Sequence, residues 1–67
     1  MTPEQARIRH EFCTARSALR GAKVEVARIE DGNASLSRLS LARQELARAK
    51  AIYERKFAAW EAAGKPV

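Results

Sequence analysis

Asp31-Gly32-Asn33 is the stretch on which the fold of this chain turns. Glycine adopts the left-handed conformation that ends a helix without steric cost, which predicts Gly32 in that conformation just past a first helix. Asn33, or Ser35 two residues on, is then placed to cap a second helix by accepting a backbone N–H bond. The stretch predicts a reversal over about 31–34, between a helix over about 3–31 and another over about 34–63, with a short tail over about 64–67.

Upstream of the reversal, the apolar positions are Ile8, Phe12, Ala15, Leu19, Ala22, Val26 and Ile29, separated by alternating steps of four and three. That is a heptad seam, the pattern of a left-handed coiled coil. The helix has a clear start. Thr2 is a good N-cap, Pro3 suits the first helical position, and Gln5 stands where a capping box needs it. Gly21 lies inside the helix but off the seam. It costs about 1 kcal/mol relative to alanine, and reads either as a tolerated defect or as a close approach by another helix.

Downstream, a second seam runs through Leu39, Ala42, Leu46, Ala49, Tyr53 and Trp60, with Phe57 beside it. Gly64 is placed to end this helix and Pro66 to prevent its resumption. A reversal at Gly32-Asn33 opposes Ile8 to Phe57, Phe12 to Tyr53, Leu19 to Leu46, Val26 to Leu39 and Ile29 to Leu36. Ala15 then lies near Ala49, and Ala22 near Ala42. Large residues face large and small face small, so the levels of the argument agree on an all-α antiparallel hairpin with an Ala-rich seam.

The second helix carries more apolar surface than one seam uses. Leu41 and Ile52 lie off it, and Ala47, Ala51, Ala58 and Ala62 share a second stripe. A helix apolar beyond one stripe is normally buried on more than one side. A chain of 67 residues has a marginal core, and with only Cys13 and His10 it has neither an internal disulfide nor a Cys/His zinc cluster. Self-association is the remaining remedy, which predicts a homodimeric four-helix bundle or a higher oligomer.

Thirteen Lys and Arg, nine of them Arg, outnumber eight Asp and Glu, and the net charge of +5 favours anionic partners. Arg9, Arg16 and Lys23 flank one side of the first seam, and Glu4, Glu11 and Glu25 the other. Arg43 and Lys50 flank the matching side of the second. The hairpin then sets Arg16 across from Lys50 and Lys23 across from Arg43, with Arg20 adding to the same region. Facing like charges destabilise a hairpin, so this band calls for something negative from outside. That is either the Glu4, Glu11 and Glu25 edge of a second protomer, or phosphate or an acidic partner surface.

Tyr53, Phe57 and Trp60 either close the open end of the hairpin against Ile8 and Phe12, or offer Tyr53 and Trp60 as a stacking surface helped by Arg55 and Lys56. Trp60 is expected to be the least covered, since only Gln5 and the N-terminal residues oppose it.

Catalytic constellations are missing. His10 and Cys13 are neighbours on a helix, but a nucleophile pair needs a third, orienting group. Glu11, Glu25, Glu45 and Glu54 show no Glu-x-x-His pattern of a di-iron bundle. There is no Gly-rich phosphate loop and no nucleophile elbow. The expectation is a protein that is not an enzyme and carries no metal or cofactor.

No apolar run approaches the ~18 residues of a membrane span. The first residues lack the basic start and apolar core of a signal peptide. A cytoplasmic location with a reduced Cys13 is expected, and the glycosylation pattern at Asn33-Ala34-Ser35 is read as chance. The sequence thus suggests a binding protein whose band of Arg16, Arg20, Lys23, Arg43 and Lys50 takes an anionic ligand, nucleic acid or nucleotide. The alternative is an adaptor or inhibitor that docks an exposed apolar stripe of helix two on another protein.

Overall fold

In a computed structural model, which describes residues 1–32 and 35–67, the chain forms two helices, α1 (Pro3–Asp31) and α2 (Leu36–Ala62). They pack against each other as an antiparallel hairpin measuring 47 × 15 × 13 Å. Among the described residues, no helix is long and apolar enough to cross a membrane.

Local chemistry sets most of the helix ends. The capping box forms: the Gln5 backbone N–H donates to Thr2 Oγ1 at 3.1 Å, and the Thr2 N–H donates to Gln5 Oε1 at 3.0 Å. Glu4 in the first turn and Arg28 in the last suit the helix dipole. Ser35 caps α2, its Oγ accepting from the Arg38 N–H at 3.3 Å. Asn33, the other capping candidate, lies outside the described residues, as does the rest of the reversal at Ala34. At the far end Gly64 is left-handed at φ 89°. Its N–H donates to the Glu61 carbonyl, and that of Lys65 donates to the Trp60 carbonyl, both at 3.0 Å. These are the paired bonds of a Schellman motif, which satisfy carbonyls that the helix end leaves open.

Gly32 departs from expectation. Its φ is −87° and ψ 4°, and its N–H bonds to the Arg28 carbonyl at 3.0 Å. It continues the right-handed course of α1 instead of turning left-handed. Ala63 ends α2 in the same conformation, at φ −83° and ψ 2°, so this position does not itself require glycine.

The core follows the two seams. Phe12, Ala15, Val26, Ile29 and Ala42 are buried. Val26, Ile29 and Ala42 pack with the half-buried Leu39 and Leu46 toward the reversal. At the open end Phe12 is the hub, its ring centroid 5.7 Å from that of Tyr53, 5.9 Å from Phe57 and 4.6 Å from Trp60.

Phe12 meets Tyr53 and Val26 packs with Leu39 as expected, but other contacts differ. Leu36, expected opposite Ile29, is 84% exposed, while Ile29 is buried. Gln5, expected beneath Trp60, instead donates from Nε2 to the Ala63 carbonyl at 3.5 Å. Gly32 is still right-handed and α2 begins only after Ser35. Leu36, in the first turn of α2, stands off the seam in solvent.

Candidate functional site

Two antiparallel seams leave two long flanks, and the cross-helix ion pairs show which flanks meet. Arg43 Nη2 lies 3.4 Å from Glu30 Oε2, and Lys56 Nζ lies 3.4 Å from Glu11 Oε2. Residues seven apart on a coiled-coil helix share a flank. One face of the hairpin therefore carries Arg9, Arg16, Lys23 and Glu30 from α1, with Arg43 and Lys50 from α2. The opposite face carries Glu4, Glu11, Ala18 and Glu25 from α1, with Glu45, Ile52 and Ala59 from α2.

The first face is basic but differs in detail from the expected band. Arg43 pairs with Glu30, one heptad beyond Lys23 on the same flank. The band's like-charge character thus ends at Glu30, a residue whose place follows directly from extending the Arg9, Arg16, Lys23 series. Lys23 and Lys50 lie on this same face and form no ion pair among the described residues.

Arg9, Arg16, Arg20, Lys23 and Lys50 are exposed, and none of them forms an ion pair among the described residues. Glu54 and Glu61 lie on the outer edge of α2 beyond the band and are also outside those pairs. The Arg16 guanidinium sits 5.6 Å from the centroid of the Phe12 ring. A contact of this type fixes an exposed arginine over an aromatic surface and is worth about 0.5–1 kcal/mol.

At the open end the basic face deepens into a cleft of about 190 Å³, lined by Arg9, Phe12, Cys13, Arg16, Trp60, Pro66 and Val67. The Trp60 ring stacks on Phe12, with an interplanar angle of 9°, and its indole N–H donates to the Pro66 carbonyl at 2.8 Å. Tyr53 is half-buried between Phe12 and Phe57, 5.7 and 6.0 Å from their centroids. Both aromatic candidates thus spend ring surface on the open-end cluster. Trp60 is half-buried, covered by Phe12 and the tail rather than opposed by Gln5. The cleft offers two guanidinium groups at the rim of an apolar floor, which suits an anion with a flat or apolar part.

His10 and Cys13 open onto different faces. Cys13 lines the cleft beside Arg9 and Arg16, whereas His10 lines a groove on the opposite face with Glu11 and Thr14. Among the described residues no three His, Cys, Asp or Glu side chains converge in a way that could hold a metal ion. Val24, 51% exposed on the outer side of α1, is an apolar surface residue that the seam pattern does not single out. Comparison with known proteins finds no matching family model, curated protein or solved structure.

Proposed function

We propose that this hairpin is a non-enzymatic binding module that holds the phosphate backbone of a nucleic acid against its basic face. The observation that carries this reading is the row of Arg9, Arg16, Lys23 and Lys50, exposed and outside every ion pair among the described residues. Fixed cations on one face attract phosphate by charge, and arginine adds bidentate hydrogen bonds. Successive members on α1 stand ~10.5 Å apart along the helix, at 1.5 Å per residue. A single nucleotide spans at most a neighbouring pair of them, whereas a polynucleotide meets the whole row. Nucleic acid therefore fits better than a nucleotide. Such a ligand is met in the cytoplasm, where Cys13 stays reduced.

The module acts as a homo-oligomer, in the simplest form two hairpins in a four-helix bundle. Leu41 is 60% and Val24 51% exposed, and among the described residues no large side chain is fully buried. A second hairpin supplies the burial that one lacks.

The double variant Arg16→Gln, Lys50→Gln tests the binding face. Its affinity for a short duplex oligonucleotide at low salt is expected to fall while its melting temperature stays level or rises slightly, because a repulsive face has been relieved. A variant that melts earlier and dissociates would assign these charges to contacts between copies instead. A second reading rests on the exposure of Leu41, Ala47, Ala51, Ala58 and Ala62 along α2. In it, this stripe docks on the apolar surface of another protein as an adaptor or inhibitor. Such a complex would persist at high salt, where phosphate binding weakens steeply.

A further inference from the structure

On the face opposite the basic row, α1 and α2 leave a groove whose floor is Ala15, Ala18, Ala49 and Ile52. Glu11, Glu45, Arg48 and Lys56 rise along its rim. We infer that this groove takes a second copy of the same chain, and that the resulting dimer carries two basic faces pointing in opposite directions, so that it bridges two nucleic-acid segments. The bridging rests on the nucleic-acid reading above; the groove assignment stands apart from it.

Three observations select a second copy as the occupant. The rim carries both signs, so it is complementary to itself, whereas the basic face would repel its own copy. Glu11 and Lys56 are level with each other across the hairpin, as their 3.4 Å pair shows. A twofold axis parallel to the helices lays α1 of one chain on α2 of the other at the same level. Glu11 then meets the other copy's Lys56, and the reciprocal contact follows, as an isologous interface requires.

Size agrees as well. With extents of 47 × 15 Å, one long face projects roughly 700 Å², close to the ~800 Å² per partner of a standard stable interface. On α1 the floor residues Ala15 and Ala18 are small. Small side chains let helix axes come close. Leu41, 60% exposed on the adjoining edge of α2, is covered by the same contact.

The experiment pairs sedimentation equilibrium at micromolar concentration with energy transfer between donor- and acceptor-labelled DNA duplexes. The wild-type chain is expected at the mass of two 7.5 kDa chains. Ala18→Glu, at an exposed helical site, is expected at the mass of one chain with its helical circular dichroism retained. Leu36→Glu, a comparable charge on the opposite flank, is expected to remain a dimer.

A wild-type monomer, or dissociation by Leu36→Glu and not by Ala18→Glu, would overturn the groove assignment. In the second measurement the wild-type dimer brings two duplexes together, and Ala18→Glu binds each duplex without joining them. A dimer that binds one duplex but never two would overturn the bridging arrangement. A dimer that binds no duplex at all would overturn the nucleic-acid reading and uphold the groove.

Discussion

Three glycines show what a single residue decides in this hairpin. Gly64 sits at φ 89°, where an L side chain is strained by roughly 1–2 kcal/mol. Gly64→Ala is therefore expected to lower stability by about 1 kcal/mol in urea unfolding. An unchanged midpoint would show that the Schellman bonds hold nothing. Gly21 is the reverse case, exposed in mid-helix with open space where a Cβ would go. Gly21→Ala is expected to raise stability by about 1 kcal/mol; a loss would reveal a neighbouring helix against that site. The caps at Thr2, Ser35 and Gly64 were legible in the sequence because each is settled by bonds to residues a few positions away. The conformation of Gly32 was not, because glycine accepts either hand and the choice falls to the path of the reversal.

Among the elements, the two seams were readable. Spacings of four and three require one buried stripe per helix, and the buried residues lie on those stripes. The polar ties of Gln5 to the Ala63 carbonyl and of Arg43 to Glu30 were not legible, because long side chains reach past the residues directly opposite them. Phe12, buried and touching three aromatic rings, is the strongest tie between the helices. Phe12→Ala is expected to cost about 3–5 kcal/mol in chemical unfolding. A change within ~0.5 kcal/mol is the behaviour of a surface site and would contradict the packing of the open end. The Glu11–Lys56 pair is a different matter, its side chains 41% and 39% exposed. Removing it with Glu11→Gln is expected to cost less than about 1 kcal/mol, since water already screens the pair.

At the scale of the whole molecule, the division into a basic face and a mixed, grooved face follows from the heptad positions of the charges. The basic residues could be placed from sequence because they recur every seven positions. Their partners could not, because pairing depends on how far each side chain reaches across the seam, which gave Arg43 to Glu30. The ligand was less legible still, since a row of cations specifies charge and spacing but no base or side chain. The most direct measurement is the affinity of the chain for a short DNA duplex across a series of salt concentrations. If Arg9, Arg16, Lys23 and Lys50 each neutralise one phosphate, log K should fall linearly with log salt at a slope of about −3 to −4. A slope near zero, or no binding even at low salt, would contradict the assignment of the basic face to nucleic acid.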